Sequence, residues 1–377
     1  MSVATAGTCT KQALFEAGRD GYTTCRIPGI VVTKAGTALA HCEARKGEGG
    51  DWDPIDIRMR RSTDGGVTWD AARTVVDHAA YGHDTIDNFV LVPDRDTGEV
   101  HALFCVEYHQ AYYMKSADDG VTFSEPVEIT STFDAFRPEY DWGVLAVGPG
   151  HGIQLSNGRL LAPVWISESR TKAHRPNRAA VIYSDDHGAT WERGDIVPRE
   201  FPNLNETEAV ELVDGRVLLN MRVMDDGRER PDDEMRRAIT TSDDGAHGWD
   251  TPRLDPALVE PVCFGSICRH STAREGKRDR ILFSNPDSLE VSLPGCWKGV
   301  RDRKNLTIRM SYDECGTWPV SKVLEPGPSG YSDLAVARDG TIMCLYECGM
   351  IADRMARSKE LTLARFDLAW LTGGRDE

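Results

Sequence analysis

No run of the sequence approaches the length of apolar chain that crosses a bilayer as a helix. Residues Met1 to Arg19 lack a basic segment followed by an apolar one, so no secretory leader is visible. The expectation is a cytoplasmic protein as the chain is written, or a secreted one if a leader has been trimmed. There is no C-x-x-C pair, no H-E-x-x-H and no phosphate-cradling P-loop, which argues against a metal centre or a nucleotide site. No metal and no organic cofactor are expected. The ten cysteines have no regular spacing. Cys105 and Cys344 sit in the apolar runs 102–106 and 342–346, so buried thiols are expected rather than a disulfide framework. Basic charge is in deficit: 44 Lys and Arg face 60 Asp and Glu, a formal net charge of -16. That balance disfavours nucleic acid and anionic membrane as partners. It also repels small anions at long range, so any anion site has to be a local basic cluster. Screening over about 8 Å at physiological salt limits this conflict. Helix signals are sparse, and no linker or low-complexity segment divides the chain, so one domain over 1–377 is expected.

What the chain does have is a recurring turn, S-x-D-x-G-x-T-W. It stands complete at Ser62–Trp69 and Ser184–Trp191, and with Phe for Trp at Ser116–Phe123. Ser242–Trp249 is degraded between Asp and Trp, and Ser311–Trp318 has Cys315 where Gly is expected. Start-to-start spacings are 54, 68, 58 and 69, so 377 residues hold about six such units. The physics is that of a hairpin. Ser and Asp side chains bond the turn's own backbone, Gly supplies the left-handed position, and the aromatic packs back beneath. The Asp of each box is therefore read as structural. Period-two runs flank the boxes, as in Ile55–Arg60 and Ala180–Tyr183. Asn157-Gly158, Asp214-Gly215 and Asp339-Gly340 mark further hairpins between apolar runs. The alternating segment Leu361–Leu368 is expected to pair beside an N-terminal strand near Leu14-Phe15, which removes exposed edges. One box per four-stranded unit reads as an all-β propeller.

On this scaffold stand Cys25-Arg26-Ile27-Pro28, the Gly-rich loop Gly47–Asp53 with Asp51-Trp52, and Glu206 ahead of a hairpin whose return strand reads Leu218-Leu219-Asn220-Met221-Arg222. Arg303 leads into the strand before the fifth box, and Tyr331 follows it by 28 residues. In this order the chain resembles the exo-sialidases, six-bladed propeller enzymes that remove terminal sialic acid. The resemblance runs from about Phe15 to Leu371, although Cys25 stands where an aromatic often precedes the R-I-P arginine.

The resemblance implies a retaining exo-α-sialidase acting on sialylated glycoproteins, glycolipids or oligosaccharides. Sialic acid carries a carboxylate on its anomeric carbon, and guanidinium forks match a carboxylate while staying charged. Arg26, Arg222 and Arg303 are the implied carboxylate binders. Asp51 is the implied acid/base, with Asp53 and Asp56 as rivals. Tyr331 is the implied nucleophile, assisted by Glu206. A neutral hydroxyl avoids the repulsion that a carboxylate nucleophile would meet from the substrate's own carboxylate. Glu208 and Glu211 are rivals to Glu206. Arg236 and Arg237, read as strand-surface residues, are rivals to Arg222, and Arg301 and Arg309 to Arg303. Arg45 is implied near the sugar, and Glu347 as the acid that orients Arg26. The polar segment Met224–Pro231 is placed at the border of the site. Two alternatives remain open: a hydrolase for a related 2-keto acid sugar such as KDN or Kdo, or a non-catalytic propeller that binds acidic glycans. Linkage preference and oligomeric state are not legible.

Overall fold

The computed structural model describes residues 7–82, 84–171, 174–224, 230–295 and 299–376. Nearly all regular structure in it is antiparallel strand. Its two α-helices, Thr130–Asp134 and Leu368–Thr372, are five residues each. Among the described residues no helix is long and apolar enough to cross a membrane.

The first sheet runs Thr24–Val32, Ala38–Arg45, Ile55–Ser62, Arg73–Val76, each strand pairing with the next in sequence. The second repeats this plan with Ile86–Pro93, Val100–Val106, Gln110–Ser116 and Val127–Glu128. The third is built on Val144–Val147, Leu160–Ser167, Asn177–Ser184 and Glu192–Arg193, with Ile153–Gln154 as a side strand. The fourth contains Leu204–Glu211, Val217–Val223, Arg236–Ser242 and Arg253–Val259. The remaining seven strands form one path, Ser266–Ser271, Arg280–Pro286, Lys304–Ser311, Val320–Val336, Ile342–Cys348, Glu360–Phe366 and, last, the N-terminal strand Cys9–Glu16. In that final pairing Phe15 lies opposite Leu361.

The strand Val320–Val336 is 17 residues long and changes partner along its length. Up to Pro328 it pairs with Lys304–Ser311, and from Ser329 with Ile342–Cys348. The apolar cores lie between successive sheets. One joins Val90 and Leu103 to Leu145 and Val164, and another joins Ile30 and Ala40 to Leu345 and Leu361. The leading strand of each sheet packs on its neighbour, and Thr24–Val32 touches both Ile86–Pro93 and Val320–Val336.

The box turns owe their shape to local hydrogen bonds. In the first, Ser62 Oγ accepts from Gly66 N at 2.8 Å, Asp64 accepts from Thr68 N and Oγ1, and Trp69 Nε1 donates to Gly66 O. In the fifth, Cys315 takes the left-handed position at φ 67° and still donates its N–H to Ser311 Oγ at 2.9 Å. The nine cysteines among the described residues are free thiols.

Candidate functional site

Four leading strands lose register at corresponding features. The pairing shifts between Arg26 and Gly29, Asp87 and Val90, Leu204 and Thr207, and Ser329 and Ser332. Such bulges bend a strand and re-aim its side chains. Two contain non-glycine residues at positive φ, Ile27 at 54° and Asn88 at 45°. For a β-branched residue like Ile27 this costs about 1–3 kcal/mol, which the surrounding packing must offset. The bulges deliver Arg26, Asn88, Glu206 and Tyr331 to one cleft of about 530 Å³.

Tyr331 is 4% exposed and packs on Ile27, Cys263 and Phe264. Three guanidinium carbons surround its ring, Arg26 at 5.2 Å, Arg303 at 5.3 Å and Arg222 at 6.0 Å from the centroid. Its hydroxyl donates to Glu206 Oε1 and accepts from Arg222 at 2.6 Å, while Arg222 donates to Glu206 Oε2 at 2.5 Å. Burial, with the charge of Glu206, pushes the phenol's pKa up, against the pull of Arg222, Arg303 and Arg26. In the free protein the hydroxyl is therefore neutral.

Glu347 orients this assembly from below. It accepts from Arg26 Nε at 2.9 Å, from Ile27 N at 3.3 Å and from Tyr331 N at 3.1 Å. Burial works against the Arg26 charge, but Glu347 together with Tyr331 and Asp51 outweighs it, so its pKa is raised. Arg303 lies in the cleft and donates to Val262 O at 2.8 Å.

Asp51 stands at the lip, 46% exposed at its side chain. It accepts from Arg45 at 2.6 Å and lies 3.8 Å from Arg26. Burial opposes its ionisation, but Arg45 and then Arg26 hold its carboxyl well below the usual range. Arg45 is buried and also pairs with Glu43 at 2.6 Å. A carboxylate so placed becomes a useful acid only if this positive field is reduced.

The rival residues go elsewhere. Asp56 accepts from the Tyr22 hydroxyl and His78, away from the cleft. Asp53 reaches the cleft but caps its own loop, accepting from Gly50 N at 2.8 Å. Glu208 is fully buried against His151 and Ile267 N. Glu211 lines a separate cavity of about 500 Å³ and accepts from Ser156 N at 2.9 Å. Arg301 pairs with Asp232 and Arg309 with Asp287. Arg237 corrects the sequence reading. It is not on a strand surface but fully buried, donating to Glu260 at 2.6 Å and to Asn220 at 2.6 Å. Its partners satisfy the charge inside the sheet, which period-two patterning does not reveal. Of the polar segment expected at the border, Met224 lines the cleft and residues 225–229 lie outside those described.

Sequence reasoning missed several lining residues: Asn88, Tyr108, Trp165, His174 and Asn205, with Arg354 and Arg357 at one side. None carries a local signal. Arg357 bonds Glu48 at 3.0 Å, tying down the loop that carries Asp51.

In sequence and in fold the chain is similar to known proteins. The BNR repeat-like domain family matches residues 36–344. A sialidase of Micromonospora viridifaciens is 33% identical across 97% of this chain and 54% of its own length. The chain thus spans about half of that relative. A sialidase of Paraclostridium sordellii is 30% identical, with 85% of this chain and 81% of the relative aligned. Among solved structures, the Hadza microbial sialidase Hz136 superposes with a TM-score of 0.78 at 27% identity, covering 96% of this chain and 69% of that one. With a repeat-domain match over most of its length and relatives at 30% identity or more, the chain belongs to the sialidase family with BNR repeats.

Proposed function

We propose that the protein is a retaining exo-α-sialidase that releases terminal sialic acid from glycoconjugates. The observation that carries this reading is the Tyr331 hydroxyl, held between Glu206 and Arg222 within a ring of three guanidinium groups. Arg26, Arg222 and Arg303 would bind the sugar's carboxylate and so fix its anomeric carbon over the phenol. Tyr331 would attack that carbon as Glu206 takes its proton. Glu206 is already bonded to the hydroxyl, so the transfer needs no rearrangement.

Asp51 would protonate the departing oxygen. The free protein holds it ionised through Arg45 and Arg26. When the sugar's carboxylate takes Arg26, part of that field is neutralised, and the bound sugar would cover the exposed part of Asp51, so desolvation then favours the protonated form. Substrate binding itself would therefore arm the acid. In the second step Asp51 would draw a proton from water, which attacks the anomeric carbon on the face the leaving group vacated, while the bond from that carbon to the Tyr331 oxygen breaks and Glu206 returns its proton to the phenol.

The scaffold we propose is a single six-bladed propeller. Its support is the long strand Val320–Val336, which belongs with three strands before Pro328 and with three others after it. Counting its two halves separately makes six strand groups, with Cys9–Glu16 completing the last.

The test is the anomer first released. Two inversions give retention, so early-time proton NMR of the sugar's C3 protons should show the α-anomer before mutarotation. A dominant β-anomer in the first minutes would mean direct attack by water and would remove Tyr331 from its role.

A further inference from the structure

The four bulges that shape the cleft share an anchor. Regular pairing resumes at Gly29, Val90, Thr207 and Ser332. The residue after each of these, Ile30, Leu91, Glu208 or Asp333, is tied to one cluster. Its members are His151, Glu208 and Asp333, all buried, the two acids completely. His151 Nδ1 donates to Asp333 Oδ1 at 2.8 Å and lies 3.2 Å from Glu208 Oε1. Asp333 Oδ2 accepts from Ile30 N at 2.7 Å. The backbone of His151 bridges Leu91, and Gly152 N donates to Leu91 O at 3.0 Å. Gly150, at φ 84°, lets this connection come so close, since a Cβ there would stand 1.9 Å from Glu208 Oε1. The strand Ser266–Ser271 joins as well, through Ile267 N to Glu208 at 2.8 Å and Ser266 Oγ to Asp333 at 3.0 Å.

Burial works against the imidazolium, but Glu208 and then Asp333 outweigh it and keep His151 protonated. Its Nδ1 is therefore a donor to both acids. His41, Cys268 and Cys344 also feel these charges, and burial keeps all three neutral. The four bulged strands belong to four different sheets, so no shared ladder sets one against another. Side chains must do it instead. Glu206 and Tyr331 stand two residues before Glu208 and Asp333. The same two strands are thus joined twice, by the Tyr331–Glu206 bond and by Asp333 through His151 to Glu208. On the far side lies the cavity of about 500 Å³, which His151, Val210 and Leu334 help to line.

We propose that His151, Glu208 and Asp333 form a positioning hub that clamps the residue following each bulge and so fixes Glu206 against Tyr331 for attack. This rests on the sialidase reading above. None of the three lines the cleft, so their action on the reaction runs through the residues they hold. A shift of about 1 Å between nucleophile and base costs about a hundredfold in rate. Arg26 has its own support in Glu347, so the carboxylate site depends less on the hub.

The experiment compares His151→Leu with His151→Asn, two side chains of nearly one shape. The asparagine amide nitrogen stands about as far along the side chain as Nδ1 and has two hydrogens, one for each acid. Leucine has none. Two probes are used. One is the 4-methylumbelliferyl α-glycoside of N-acetylneuraminic acid. The other is a sialosyl fluoride with a second fluorine at C3, whose leaving group needs no protonation, so its inactivation rate reads attack by Tyr331. His151→Leu should lower kcat and the inactivation rate about a hundredfold, with KM held within about threefold. His151→Asn should return both rates to within about tenfold of wild type, having lost only the charge-assisted part of the bonds. Asp56→Asn, a loss of buried charge away from the cleft, should leave both rates within about threefold. If His151→Leu keeps its rates, if asparagine restores nothing, if the loss falls on KM alone, or if Asp56→Asn loses as much, the hub is overturned while the hydrolase stands. If the wild-type chain acts on neither probe, the hydrolase falls and the hub with it. Should His151→Leu not fold, Asp333→Asn decides. It keeps the size but leaves one acceptor oxygen for donors that met two, and unchanged rates there overturn the hub.

Discussion

Replacing Glu347 with Gln keeps the size of the side chain and removes its charge. In the wild type this carboxylate accepts from the Arg26 guanidinium and from the backbone N–H groups of Ile27 and Tyr331. Both members of the ion pair are buried, at 7% and 3% side-chain exposure. A glutamine has one acceptor oxygen, so its amide nitrogen must face at least one of these donors. Removing one partner of such a pair costs about 3–5 kcal/mol, because the remaining charge stays buried. Unfolding entropy of about 2.1 cal/mol/K per residue amounts to about 0.8 kcal/mol/K for this chain. The expected fall in melting temperature is therefore about 4–6 °C, measured by calorimetry. A kinetic effect should accompany it. The nearest remaining anion for Arg26 is Asp51, at 3.8 Å. Arg26 would turn toward it, misplacing one carboxylate binder and holding the acid more firmly ionised. Misplacement of this kind costs about a hundredfold in rate. Glycosides with poor leaving groups should lose most, since they depend on protonation. A melting temperature within 1 °C of wild type, with unchanged kcat/KM on a natural sialoside, would refute the claim that Glu347 positions the site.

Tyr331→Phe should abolish most turnover of an unactivated sialoside while the fold survives, because the Glu206–Arg222 pair remains without the hydroxyl. Near-wild-type turnover would remove Tyr331 as nucleophile. Asp51→Ala should damage natural glycosides far more than aryl sialosides, whose leaving groups need little protonation; equal losses on both would transfer the acid role, with Asp53 the first alternative in the cleft. Asp56→Asn tests the linkage of pH to stability. Burial raises the Asp56 pKa, but its bonds from His78, Tyr22 and Lys46 outweigh that and hold it at about 2. A carboxyl depressed by about two units contributes about 2–3 kcal/mol above its unfolded pKa near 4. The difference in stability between wild type and variant should therefore be full at pH 6 and vanish as pH falls from about 4 toward 2. A difference that persists at pH 2 would contradict the assignment.

What could be read from sequence was whatever is encoded locally. A box turn is closed by residues within eight positions of one another, so Ser62, Asp64, Gly66 and Trp69 announce it by themselves. Asn157-Gly158 and Asp214-Gly215 likewise mark hairpins through a residue that accepts positive φ. The paired residues of the site are far apart, as Arg26 and Glu347 are by 321 positions, and only the likeness of order to a known family linked them. The bulge at Ile27 is invisible because an isoleucine, not a glycine, takes the left-handed conformation. The strand Val320–Val336 runs through Pro326-Gly327-Pro328 and Gly330 and changes partner there, which no local pattern announces. The burial of Arg237 depends on Glu260 and Asn220, residues no pattern on its own strand predicts. Trp165 and His174 are single residues without a motif, and only their place in the wall of the cleft distinguishes them.

The charge of the chain and the chemistry of its cleft pull in opposite directions, and the pairing of the arginines resolves this. A net charge of -16 repels a sialoside at distance, so the site cannot rely on attraction over tens of ångströms. Nor is the cleft a bare positive patch. Arg26 is neutralised by Glu347, Arg222 by Glu206, and Arg45 by Glu43 and Asp51. Each carboxylate fixes the direction of a guanidinium without covering all of its donors. Five N–H groups fan out from each guanidinium, more than one partner carboxylate takes up. Recognition then comes from oriented donors at short range, which need no reorganisation when a carboxylate arrives. The same pairing lets one side chain serve two ends. Glu206 bonds both Arg222 and the Tyr331 hydroxyl, so in the proposed mechanism it would hold the first for the sugar's carboxylate and take the proton of the second. A lysine at Arg222 would keep the charge but could not bond Glu206, Tyr331 and a carboxylate together in one plane. The buried acids of this cleft thus set its geometry first and its charge second, and that is how an acidic protein would bind the acid proposed as its substrate.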